Sequence, residues 1–270
     1  MPIVLSNPPL NDSIKLMASQ NYTNISNFTV QRIQKFLNSI NSTDIDLITL
    51  RLISFKGIPD ECKGLRSCVW KLILDYYPPN ATLWYPVSKQ KAEEFHHLQL
   101  KMSDQTMQKG ENPLSSKSEG GLNNLLTDRL LWQSIEKDIK RTRADVQFFV
   151  QPRDATNSKF TEQLIKQSES LRSEMNANER HNYILTHGDV IADMLFIYAK
   201  CNSKIKYVQG MNELLGTLYY TFYKDINSIV APYIESDSYF MFCILMQEMA
   251  HNYVSTVSYT HLTLPTKRIV

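Results

Sequence analysis

Apolar residues in this chain return every three or four positions, and no stretch alternates apolar with polar residues in a β-branched run. That spacing confines the chain to helices packed on helices, because a half-buried strand needs a period of two. Val30, Ile33, Phe36, Leu37 and Ile40 form one helical row. Asp44 or Asp46 is placed to cap a short helix through Leu50 and Leu52. Leu65, Val69, Leu72 and Ile73 form a further row, with Pro59 expected at its first turn and Pro78-Pro79-Asn80 as its stop. Helices are also predicted over Ser88–Met102, Leu130–Thr142, Phe160–Asn178, from Asp189, over Tyr207–Tyr223, and from a cap at Ser236 or Asp237. No repeat of fixed period is found, which disfavours a solenoid.

The polar, Asn- and Ser-rich residues 1–27 are expected to form a flexible tail, and residues 103–123, with Gly120-Gly121, a flexible insertion within one domain spanning 28–254. The chain has 270 residues, 43% hydrophobic and 21% charged, which permits a sizeable core. A formal net charge of +2 lacks the concentrated basic excess of a nucleic-acid binder. The four cysteines, Cys62, Cys68, Cys201 and Cys243, form no C-x-x-C pair and have no His at zinc-ligand spacing, so they read as reduced, mostly buried thiols. No signal peptide or transmembrane run is found, and no direct membrane insertion is expected. Six N-x-S/T triplets, beginning with Asn11, are read as a by-product of composition rather than as glycosylation sites.

Three local patterns carry chemistry. Gly57-Ile58-Pro59 precedes Arg66-x-x-x-Trp70; Ile135-x-x-Asp138-x-x-Arg141 comes next; Tyr207-x-Gln209-Gly210-Met211-Asn212-Glu213 comes last. Alone, each has a plain alternative. Arg141 sits in a basic cluster with Lys137, Lys140 and Arg143, as a surface Arg would; Gln209 could be a capping residue; Arg66 could stack on Trp70 as packing. Arg143, at i+5 from Asp138, points to a different helix face from Asp138. His181 and His187 lack a nucleophile pattern and are read as surface or capping residues.

In this order on a helical chain, from about Phe55 to Met249, the patterns resemble the three fingerprints of the TBC domain, the Rab GTPase-activating family. The phrasing around Tyr207 and Glu235–Tyr239 is similar to the member-thirteen type. The resemblance implies an all-α, multi-helix fold, an N-terminal lobe plus the start of a second. It implies acceleration of GTP hydrolysis on a GTP-bound Rab, in trans, with Arg141 and Gln209 as catalytic fingers. The physical requirement stands beside it. Phosphoryl transfer gathers charge on phosphate oxygens, which a planar guanidinium bridges. A neutral amide can accept from the attacking water and donate to the phosphoryl group. Asp138 is expected to hold the Arg141 guanidinium from the preceding turn, Ile135 to anchor the helix, and Tyr207, Gly210 and Asn212 to support Gln209. Gly57, Pro59, Arg66 and Trp70 belong to the structural fingerprint. No cofactor of its own is expected, since GTP and Mg²⁺ belong to the Rab, and no independent catalysis. A cytoplasmic place, peripheral on endomembranes through the Rab, follows from that substrate class.

The sequence departs from the family at Lys206, where Gly is frequent, and at its end. Residues 255–270 show no helical row and no likeness to the family, and are expected to be a foreign tail on a domain cut short. A non-catalytic Rab-binding or scaffold module is the alternative function, favoured by that ending.

Overall fold

The computed structural model describes residues 3, 5–107, 118–142, 146–153, 184–225 and 233–259. The described residues form nine α-helices and no strand, as the spacing predicts. The helix expected over Phe160–Asn178, His181, Arg143 and the last residues of the expected foreign tail, 260–270, lie outside them.

The N-terminal segment is part of the core rather than a loose tail. Helix α1 (Asp12–Ala18) is capped by the Asn11 side chain and buries Ile14 and Met17 completely. The Asn11 amide also donates to Ala81 O at 2.8 Å. A single side chain, Asn41, accepts from Leu10 N and donates to the carbonyls of Asn7 and Pro8. Tyr22 is buried, its hydroxyl on Met17 O. One asparagine of the segment, Asn11, and one at the end of the next helix, Asn41, thus tie it down.

Helix α2 (Asn27–Ile40) buries Ile33, Phe36, Leu37 and Ile40, one stripe of a 3.6-residue period. Helix α3 (Leu47–Ser54) is capped by Asp46, which accepts from the amides of Ile48 and Thr49. Helix α4 (Leu65–Ile73) begins later than Pro59 suggests. Its N-cap is Gly64 at φ +93°, a left-handed turn that suits a residue without Cβ, and Gly64 offers no side chain. Asp225 supplies the missing cap from elsewhere, accepting from Gly64 N and Ser67 N at 2.7 Å each, and from Ser67 Oγ.

A 3₁₀ turn over Ala81–Leu83 runs into α5 (Trp84–Met107), and α6 spans Ser118–Ile139. Helix therefore enters the expected insertion from both sides. A second 3₁₀ turn covers Gln147–Val150. Helix α7 (His187–Cys201) starts with a Thr186–Asp189 capping box and is buried from His187 to Ala199. A helix apolar on nearly all sides belongs at the centre, and α7 touches α5, α6, α8 (Met211–Lys224) and α9 (Ile234–Tyr259). Helix α9 starts before Ser236 and Asp237, which lie buried within it, and continues through Tyr259, past the point where the sequence loses its helical row.

Two contacts lock the N-terminal helices to this centre. Lys71 of α4 is fully buried and paired with Asp237 of α9, whose other oxygen accepts from Tyr76 Oη at 2.5 Å. Burial pushes the Lys71 ammonium toward neutrality, but Asp237 overrides it and holds the charge. Trp70 meets Phe222 of α8 edge-on at 6.5 Å.

Candidate functional site

Helix α6 ends by tightening. Its final bonds run Arg141 N to Asp138 O (3.0 Å) and Thr142 N to Ile139 O (3.0 Å), the i to i+3 geometry of a closing turn. Ile135 is fully buried and fixes the helix, while Arg141 emerges exposed at the turn. The second segment, 206–210, leads into α8. Lys206 has φ +57° and Gly210 φ +101°, so the chain reverses at both ends of Tyr207-Val208-Gln209. Gln209 is exposed. A Cβ on Gly210 would meet nothing within 4 Å, so Gly210 is required by its backbone angle rather than by close approach.

Hydrogen bonds join the two segments. The Tyr207 hydroxyl donates to Asp138 Oδ2 at 2.9 Å. The Asn212 amide donates to Thr142 Oγ1 at 2.7 Å, and its carbonyl oxygen accepts from Gly210 N at 3.0 Å. Thr142 Oγ1 in turn donates to Asp138 O at 3.1 Å. One carboxamide, Asn212, thus bonds the residue after Arg141 and the residue after Gln209. Burial, reinforced by Asp138, pushes the Tyr207 phenol up, so it stays a neutral donor. The two exposed side chains project from turns whose backbones cannot move apart without breaking buried bonds.

Asp138 differs from expectation. No ion pair joins it to Arg141; its carboxylate is 69 positions away from its partner, on Tyr207. The physical reason is burial, with Asp138 only 9% exposed. A carboxylate inside the helix packing needs an inward partner, whereas Arg141 points to solvent. Sequence reasoning missed Thr142, which is buried and sits beside Arg141. Its signal was a hydroxyl at a helix C-terminus.

The first fingerprint forms a separate turn. Gly57 (φ +86°) breaks the chain after α3, and Pro59 is buried. Arg66 donates to Ile58 O at 3.0 Å and pairs with Asp60 at 2.5 Å. Arg66 does not stack on Trp70, which packs on Phe222 instead; its guanidinium holds the turn. His187 is also not a surface residue. It is buried, stacked on Phe148 at 4.2 Å, with Nδ1 2.9 Å from Tyr219 Oη.

The family profile of the Rab-GTPase-TBC domain matches residues 154–264. TBC1 domain family member 13 of Homo sapiens is 30% identical over 84% of this chain and 68% of its own length. The GTPase-activating protein gyp1 of Schizosaccharomyces pombe is 22% identical over 85% of this chain and 37% of its own. Among solved structures, the Ypt/Rab-GAP domain of Gyp1p shares the fold with a TM-score of 0.53 at 21% identity, over 83% of this chain; the chain spans 59% of that structure. The fingerprints, the helical architecture and these similarities agree: the chain belongs to the Rab-GTPase-TBC domain family.

Proposed function

We propose that the chain activates GTP hydrolysis on a GTP-bound Rab-type small GTPase, with Arg141 and Gln209 entering the partner's nucleotide site. The observation that supports this most is the Asn212 carboxamide bonded beside both residues. It presents a guanidinium and an amide, both exposed, from two turns set in fixed relation. Preorganised donors aimed at developing charge need no rearrangement during reaction. Arg141 meets the phosphate oxygens, and Gln209 orients the attacking water. GTP and Mg²⁺ are held by the Rab, and this chain works at the cytosolic face of vesicle membranes where its partner acts. Asp138, Tyr207 and Asn212 position the two turns and touch no substrate.

The test is phosphate release from a panel of GTP-loaded Rabs. Arg141→Ala is expected to lower kcat/KM by about 10³ or more, and Gln209→Ala by about 10² or more, with helical content unchanged. Stimulation that survives both substitutions sinks the assignment. Rab binding without turnover by the unaltered chain selects the non-catalytic module instead.

A further inference from the structure

Helices α2 and α3 share a face that no other part of the described fold covers. Ile48, Leu52 and Phe55 follow at i, i+4 and i+7 on α3 and its C-cap, and are 72%, 69% and 93% exposed. Phe28, 70% exposed, starts a row on α2 that continues with Arg32 and Lys35. The Arg32 guanidinium donates to the carbonyls of Lys56 and Gly57, which places this row beside the end of α3 where Phe55 projects. The core is served by other residues of the same helices, Ile33, Phe36, Leu37 and Ile40 of α2 and Leu50 of α3. Phe28, Ile48, Leu52 and Phe55 therefore add little to the core, while Arg32 ties α2 to the turn after α3. Four large apolar side chains gathered on one face mark an interaction surface.

Charge selects the occupant. Residues 27–56 hold four cations, Arg32, Lys35, Arg51 and Lys56, against two acids, Asp44 and Asp46. Asp46 is occupied with the α3 amides, and Arg51 is shared with Asp75 at 3.8 Å. Lys35 and Lys56 enter no ion pair among the described residues. Exposed aromatic and aliphatic side chains bordered by unpaired cations suit an anionic bilayer surface. A second copy would set these cations against their equivalents.

We infer that the α2–α3 face is a peripheral membrane-docking surface. Phe28, Ile48, Leu52 and Phe55 enter the headgroup layer, and Lys35 and Lys56 meet anionic lipids, while Arg32 holds the edge of the face through its carbonyl contacts. This adds a contact of the chain's own to the membrane association expected through its partner. The contact is shallow: no helix among the described residues is long and apolar enough to cross a membrane.

Co-sedimentation of the full chain, without any GTPase, tests the proposal. The chain is expected to pellet with phosphatidylcholine vesicles that hold roughly one-third phosphatidylserine, and not with phosphatidylcholine alone. Lys35→Gln with Lys56→Gln should lower the partition coefficient about fivefold per cation removed. Phe55→Ser should lower it about tenfold or more. Phe55 is 93% exposed, so its removal leaves the core intact, and an unchanged melting curve checks this. Absence of pelleting with the anionic vesicles overturns the proposal. So does pelleting that Phe55→Ser and the lysine pair leave unchanged, or a concentration-dependent dimer that Phe55→Ser dissolves without any lipid binding. Turnover on a Rab is measured separately in solution, so failure here leaves the GTPase-activating reading standing.

Discussion

The hydroxyl of Tyr207 donates to the carboxylate of Asp138 at 2.9 Å, bridging 69 positions of sequence between the end of α6 and the loop before α8. Tyr207→Phe removes the donor and leaves a buried carboxylate oxygen without it. A loss of about 1–3 kcal/mol is expected by denaturant titration. In the hydrolysis assay the effect should fall mainly on kcat, since a loosened loop misplaces Gln209 without removing it. A change confined to stability would separate this bond from the fingers.

The two left-handed residues of that loop should respond in opposite directions. Lys206 at φ +57° carries a side chain in a conformation that costs about 1 kcal/mol, so Lys206→Gly should raise stability by about that much. Gly210→Ala should lower it by about 1–2 kcal/mol, although there is open space around the new methyl. Thermal melting of both variants beside the parent chain checks the pair of signs.

Burial pushes the Asp193 carboxyl of α7 up to about 7, with Gln99 of α5 donating to one oxygen at 3.4 Å and the other oxygen without a hydrogen-bond partner among the described residues. Glu235 of α9 raises it further, and Arg153 opposes. The folded carboxyl keeps its proton to higher pH than the unfolded one, whose ordinary value is 3.8. Between about pH 4 and 7 the native state binds more protons, so this group's contribution to stability falls as pH rises. Asp193→Asn should flatten that part of the profile and gain most on the parent chain above pH 7. Melting temperatures from pH 4 to 8 decide it; parallel profiles would refute it.

The buried Lys71–Asp237 pair should behave asymmetrically. Lys71→Met leaves Asp237 buried with Tyr76 as its remaining partner and is expected to cost about 3–5 kcal/mol. Lys71→Met combined with Asp237→Leu should recover much of that loss, because no uncompensated charge remains. Urea midpoints of the two variants measure the difference.

The helical class was legible because Ile33, Phe36, Leu37 and Ile40 carry the periodicity of a packed face in their spacing alone. Arg141 and Gln209 were legible as parts of local patterns, since each pattern is carried on a single turn. The partner of Asp138 was not. Spacing along one helix ranks Arg141 first, and only the packing of α6 on the 206–210 loop brings Tyr207 closer. The start of α4 was hidden for a similar reason: its cap, Asp225, lies at the far end of α8. The place of the N-terminal segment was not legible, because a polar residue such as Asn11 reads as solvent-loving until the carbonyl and amide it satisfies are known, and the other tie, Asn41, lies outside the segment.

Residues 151–153 run antiparallel against 185–187: Pro152 bridges Thr186, Arg153 N donates to Leu185 O at 2.9 Å, and His187 N donates to Gln151 O at 3.2 Å. This clasp ties the segment after the Gln147–Val150 turn to the residues that open α7. It also fixes where α7 begins, because His187, the first residue of that helix, is held by Gln151 from the opposite segment. The clasp is thus a register mark for the central helix: a proline at position 153, which has no N–H, would remove one of its two backbone bonds and be felt at the start of α7.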